Sequence, residues 1–351
     1  MEAASVAQPK PARFSIGEFI SRYGLIAVLA AMPIIFGIDD LREQGDLSRL
    51  GNNLLDGLSN GAIWALVAIG YTLVYGIIEL INFAHGDVFM IGSFVAVGVA
   101  GSVGLTAATG GIGLVAGLFA TLIVAMVACG TLNVMIERVA YRPLRHSSRL
   151  APLITAVGFS FILQNVGLLW KGGSQEGITD YIESQSRLVE VGGIVVTNGD
   201  ALALVATIPL VFLMTWFISR SRLGKAMRAT AQDPEASRLM GINVDTTISL
   251  TFLLGGLLAG SAGLIYALYQ TTIWYFQGFT AGLIAFTAAV MGGIGNIRGA
   301  VLGGLIIGFI QQISDNRIGS EWTPAIVFGY LVLIMVFRPQ GLIGEETREA
   351  G

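Results

Sequence analysis

Leu54-Leu-Asp-Gly-Leu-Ser-Asn-Gly-Ala-Ile-Trp-Ala-Leu-Val-Ala-Ile-Gly-Tyr-Thr-Leu-Val-Tyr-Gly-Ile-Ile78 carries one charged side chain, Asp56. As a helix this run is about 37 Å long, enough to cross the roughly 30 Å hydrocarbon core of a bilayer. The rest of the chain repeats the pattern. Of 351 residues, 54% are hydrophobic and 12% are charged, against about 25% charged in a typical soluble domain. That leaves too little polar surface to face water, whereas lipid accepts apolar side chains outward. The 47 glycines suit close packing of membrane helices.

The other apolar runs are Tyr23–Ile38, Val88–Leu105, Ile112–Ile136, Leu150–Trp170, Ala201–Ile218, Ile248–Tyr269, Leu283–Met291, Ala300–Ile313 and Pro324–Phe337. The first lacks a small-residue cleavage site and reads as a retained span rather than a signal peptide. The two runs flanking Gly292–Gly299 are short and fit either two abbreviated spans or a re-entrant pair. The expected fold is an all-α polytopic membrane protein of about ten transmembrane helices, some short or broken.

With the N-terminus in the cytoplasm and ten spans, inner segments hold fifteen Lys and Arg and outer segments five: Arg42, Arg49, Lys171, Arg187 and Arg317. The reverse orientation would place the excess outside, against the positive-inside rule. The expected organisation is a cytoplasmic tail at 1–22, one transmembrane domain at 23–337 and a cytoplasmic tail at 338–351. A loop at 171–200 faces outward, and its Val/Ile alternation around Val189–Val196 suggests a small hairpin or cap. A loop at 219–247 faces inward. Trp274, Tyr275, Phe276 and Trp322 read as anchors at the outer interface.

The inner loop contains Ala231-Gln-Asp-Pro-Glu-Ala-Ser-Arg-Leu-Met-Gly241. Asp233 is a good N-cap, Pro234 suits the first helical position, Glu235 complements the helix dipole and Gly241 is placed as a stop. The spacing predicts a two-turn helix, Pro234 to Met240, with Arg238, Leu239 and Met240 able to enter a partner's groove. An ordinary capped surface helix would look the same. Glu235-Ala236-Ser237, then three residues and Gly241, resembles the EAA loop of ABC importer permeases, although the proline expected downstream is missing.

The stretch from Gly70 to Ser93 is more specific. Its run Ile81-Asn-Phe-Ala-His-Gly-Asp87, with Met291-Gly-Gly-Ile-Gly-Asn-Ile-Arg-Gly-Ala300 and Arg338-Pro-Gln-Gly-Leu342, resembles LivH-type permeases of branched-chain amino acid ABC transporters. The resemblance covers about Leu54 to Leu342. It implies an ABC importer permease fold in a prokaryotic cytoplasmic membrane and a permease subunit for branched-chain amino acids. Importers of urea, amides or other amino acids use similar permeases. The implied partners are a second, LivM-like permease, two cytoplasmic ATPases coupled through Asp233, Pro234, Glu235, Ala236, Arg238, Leu239, Met240 and Gly241, and an extracytoplasmic binding protein. ATP would be bound by those ATPases, and this chain would need no cofactor of its own.

Asn82, His85 and Asp87 lie between two apolar spans, where an exposed charge costs roughly 2.5–3.5 kcal/mol or more. Asn82 and His85, three apart, would share a helix face. Two readings stay open: the group shapes the translocation path, or it hydrogen-bonds a helix break. Gly293, Gly295 and Asn296 belong to the same pair of readings. Gly292–Gly299 does not fit a dinucleotide loop, because Arg298 stands where glycine is required. No Walker A sequence occurs, so the chain itself is not expected to hydrolyse ATP. Cys129 alone, with only His85 and His146, excludes a disulfide framework and gives no metal-site spacing. His85 with Asp87 is the only pair resembling a catalytic one, and it has no nucleophile beside it. No basic block suits nucleic acid.

Overall fold

The computed structural model describes residues 16–43, 45–145, 147–148 and 150–344, with side chains at 24, 27 and from 29 onward. His146, Arg149 and most of the two expected tails lie outside the described residues. The ten apolar runs fall on ten helices: α1 (Ile16–Glu43), α2 (Ser48–Ile78), α3 (His85–Ser102), α4 (Gly111–Ile136), α5 (Leu150–Lys171), α6 (Asn198–Arg220), α9 (Val244–Gln270), α10 (Gln277–Gly292), α11 (Ile297–Arg317) and α12 (Thr323–Phe337). Between α6 and α9 stand α7 (Arg222–Gln232) and α8 (Pro234–Leu239). Seven of the helices are long and apolar enough to cross a membrane, and α10 and α12 are shorter apolar helices. The fold is therefore an all-α polytopic membrane architecture. Helix α1 extends before its apolar run, to Ile16, because hydropathy marks only the apolar part of a helix.

Two short sheets lie at one end of the bundle. Strand β2 (Arg187–Val191) pairs with β3 (Ile194–Thr197) as an antiparallel hairpin in the loop where alternation predicts one. Strand β1 (Glu176–Gly177) pairs with β4 (Thr272–Ile273). This hairpin end lies opposite the end that carries α7 and α8.

The helices form two inverted halves. In the first, α2 ends at Glu79, a left-handed residue (φ 53°), and six residues later α3 begins at His85. In the second, α9 ends at Thr271, also left-handed (φ 52°), and six residues later α10 begins at Gln277. Helix α2 runs away from the hairpin end and α9 runs toward it. The next helix of each half packs on the other half's long helix. A Cβ on Gly308 of α11 would come within 2.3 Å of Gly57 O on α2, and one on Gly260 of α4's partner α9 within 2.4 Å of Ala125 O on α4. Small residues permit such approach, and the backbones then pack directly.

Helices α2 and α9 are buried along most of their length, whereas less than a third of the apolar stretch of α4, α5 and α6 is buried. The exposed residues of those three helices are mostly apolar, among them Ile112, Phe119, Ile154, Val205 and Phe212. An apolar girdle around a buried helix pair is the surface a bilayer covers.

Candidate functional site

The chain breaks twice inside the bundle. His85 packs edge-on to Tyr71, with ring centroids 4.8 Å apart, and a Cβ on Gly70 would meet its Nε2 at 2.3 Å. Gly70 lies about 12 Å along α2 from that helix's end. Residues 79–84 therefore turn back into the bundle before α3 starts at mid-depth. Residues 271–276 do the same from the other side, and the two helix starts meet. A Cβ on Gly86 would come within 2.3 Å of Gly278 O and 2.5 Å of Gly282 Cα.

This geometry corrects one expectation. Asn82 does not share a helix face with His85, because the left-handed turn at Glu79 ends α2 and the helix resumes only at His85. The aromatic run Trp274–Phe276 lies in the second turn, partly exposed and clustered with Phe279.

Non-helical backbone at this depth requires partners from protein. Asn82 Nδ2 donates to Asn133 Oδ1 at 3.3 Å. Asn133 Nδ2 donates to Phe252 O at 2.6 Å. The Tyr141 hydroxyl donates to Ile81 O at 3.1 Å and lies 3.3 Å from Asn82 Oδ1. The buried Asp87 carboxylate accepts from Ser160 Oγ, which in turn accepts from Gln164 Nε2 at 3.0 Å. Its other oxygen lies where a Cβ on Gly278 would approach to 2.7 Å. Asp87 thus stands in the first turn of α3 and beside the start of α10, where both helix dipoles present their positive ends.

The sequence reading missed Asn133, Tyr141, Ser160 and Gln164. Asn133, Ser160 and Gln164 each interrupt an apolar run, and a polar residue inside a span is the signal that finds such partners.

Gly293, Gly295 and Asn296 lie elsewhere, at the turn from α10 to α11. Asn296 caps α11, accepting from Arg298 N at 3.0 Å and Gly299 N at 3.2 Å. Its amide donates to Ile343 O at 2.8 Å, tying the turn to the segment after α12. Helix α11 runs antiparallel along α2 from this turn to Asn316, whose amide donates to Asn53 Oδ1 at 2.6 Å. The runs at 283–313 are thus a helical hairpin of one short and one full-length helix, and the inward turns lie at 79–84 and 271–276.

Helix α8 has the expected cap. Asp233 Oδ1 accepts from Glu235 N and Ala236 N, both at 2.9 Å. Gly241, at φ 82°, closes the helix, and Ile242 N donates to Ser237 O at 3.0 Å. Leu239 is 89% exposed and Met240 83%. Helix α7, absent from the sequence reading, braces this element. It is a surface helix with Gly224, Met227 and Thr230 buried.

Two inverted halves, each with a helix restarted at mid-depth, define the class: an integral membrane permease with broken helices at its centre. Residues 53–336 match the family described as "Branched-chain amino acid transport system / permease component", and the chain belongs to that family. It is 42% identical over 301 residues to the high-affinity branched-chain amino acid transport system permease protein BraD of Pseudomonas aeruginosa, covering 84% of this chain and 96% of that protein. It is 40% identical over 298 residues to the permease protein LivH of the corresponding system in Escherichia coli, with the same coverage. A more distant relative, the probable LivH of Methanocaldococcus jannaschii, is 26% identical over 298 residues. These relatives are transport permeases, components of larger transport systems. Helix α1 precedes the matched region.

Proposed function

We propose that this chain is one transmembrane subunit of an ATP-driven importer of branched-chain, hydrophobic amino acids. Two cytoplasmic ATPases would grip α8 on this subunit and its counterpart on a second, LivM-like permease. An extracytoplasmic binding protein would deliver the amino acid at the hairpin end. ATP is bound and hydrolysed by the partners. Their closure moves α8, and the halves around α2 and α9 alternate between outward and inward access. The end that carries α7 and α8 is cytoplasmic, as are both termini.

The observation that carries this reading is α8 itself. An apolar Leu239–Met240 tip left bare beside a doubly capped helix has no work to do within the chain, and it fits a groove on another protein. Family membership supplies the substrate class. The chain presents few charged groups along its core, which agrees with a cargo whose side chain is aliphatic.

The test is reconstitution. Proteoliposomes containing this chain, a second permease and the ATPases should accumulate labelled leucine only with ATP and binding protein. Leucine uptake by this chain alone would overturn the proposal.

A further inference from the structure

A groove of about 690 Å³ opens between α4 and α9 near the end that carries α8. Its walls are apolar: Met135 and Val139 from one side, Leu250 and Leu253 from the other. Its floor is polar, with Arg138, Arg142 and Asp245. A π turn, Glu137–Tyr141, shapes this part of α4. Met135 and Val139 are more than half exposed, so the groove opens sideways onto the apolar girdle.

Depth sets what such a groove meets. Helix α4 and its π turn run continuously from Gly111 to Tyr141. Arg138 lies about 40 Å from Gly111 along this helix, past a hydrocarbon core of about 30 Å. Leu250 and Leu253 lie about 8 and 12 Å deeper along α9 than Asp245 in its first turn, and Met135 about 5 Å deeper along α4 than Arg138, so the groove runs from the acyl-chain side to the guanidiniums at headgroup depth. Arg142 and Arg145 both pair with Asp245, and Arg145 also pairs with the buried Glu137. Arg138 forms no ion pair with any described residue. Three guanidiniums against two carboxylates leave one positive charge at the floor.

We propose that this groove is a binding site for an anionic phospholipid, with an acyl chain between Met135 and Leu253 and the phosphate at Arg138. A basic pocket between spans at headgroup depth has this affinity in general. The pairing of Arg142 with Asp245 holds one wall of the pocket in place, so that Arg138 is free to meet the phosphate. The site does not depend on which amino acid the transporter carries.

Native mass spectrometry of the full-length chain, released from detergent in the presence of phosphatidylglycerol or phosphatidylcholine, tests this. Phosphatidylglycerol adducts should persist at collision energies that strip phosphatidylcholine. Arg138→Gln should lower phosphatidylglycerol retention by about fivefold, the equivalent of one interfacial cation. Met135→Trp, which fills the apolar arm, should lower it too, while Lys225→Gln on α7 should not. Equal retention of the two lipids, or full retention by Arg138→Gln, would overturn the proposal. So would displacement by inorganic phosphate with no effect of Met135→Trp, which would mark a plain anion site. Loss of the adduct in the assembled transporter but not in the isolated chain would assign the groove to a protein neighbour, and the proposal would fall.

Discussion

Gly86 and Gly278 face each other across the centre of the bundle with no room for a side chain between them: a Cβ on Gly86 would stand 2.3 Å from Gly278 O. Each is the second residue of its half's restarted helix. Backbone, not a flexible side chain, occupies the space, so the contact cannot yield locally. Alternating access requires the two halves to move relative to each other, and this contact is one of the places where they touch.

Gly86→Ala should therefore destabilise the permease by about 1–3 kcal/mol, the usual cost of overpacking, and should reduce leucine uptake further than the loss of folded protein explains. Gly98→Ala on the same helix, where nothing lies within 4 Å of the new Cβ, is the control. Thermal unfolding in detergent, with uptake normalised to folded protein, reads both. Equal behaviour of the two variants would show that the halves do not meet tightly here.

The amide network under the first inward turn gives a second prediction. Asn133→Ala removes the donor to Phe252 O and the acceptor for Asn82 Nδ2. Both partners stay buried, so the expected cost is about 1–3 kcal/mol. Because the turn at 79–84 loses a support while α4 itself is unharmed, protease sensitivity should rise at Glu79–Phe83 before it rises elsewhere. Uniform sensitivity along the chain would argue that Asn133 serves general packing only.

The ten apolar runs were legible because the 3.6-residue helix and the 30 Å core leave a length signature that survives without any tertiary information. The α8 cap was legible for the same local reason: Asp233, Pro234 and Gly241 act within a few residues of themselves. The inward turns were not. Glu79 and Thr271 adopt left-handed backbone with no glycine to announce it, and the reversal is fixed by contacts with Tyr141 and Asn133, sixty and fifty-one residues away from Ile81 and Asn82. Asn82, His85 and Asp87 could be picked out as unusual, but a single sequence does not show that Ser160 lies against Asp87, or that Gly278 does.

Helix α8 yields a third prediction. Leu239 is 89% exposed, so Leu239→Glu should leave folding and membrane insertion unchanged. If Leu239 anchors an ATPase, its loss costs about 2 kcal/mol of docking, roughly thirtyfold in affinity. Co-purification of the ATPase should fail and ATP-driven uptake should fall with it. Gly241→Val, at φ 82°, should act differently. It strains the end of the helix by about 1–2 kcal/mol, so docking should weaken only in part. Normal ATPase recovery with Leu239→Glu would remove α8 from the coupling path.

The last prediction concerns Glu137, fully buried in the π turn after α4. Arg145 pairs with it, and Ser249 Oγ donates to its second oxygen at 2.7 Å. Arg145 also holds Asp245 at 2.5 Å, in the first turn of α9. One guanidinium thus joins the end of α4 to the start of α9, close to the loop that bears α8. Arg145→Ala would leave Glu137 buried and uncompensated, a loss of about 3–5 kcal/mol when one partner of a buried pair is removed. Glu137→Gln with Arg145→Gln removes both charges and should restore much of that stability, since two neutral amides can still bond each other and Ser249. Restored stability need not restore transport, because Asp245 then keeps only Arg142 and the start of α9 is less firmly tied to α4. Unfolding midpoints of the single and double variants in detergent decide the first point, and leucine uptake at matched folded protein decides the second. A double variant no more stable than Arg145→Ala would mean that Arg145 acts chiefly through Asp245.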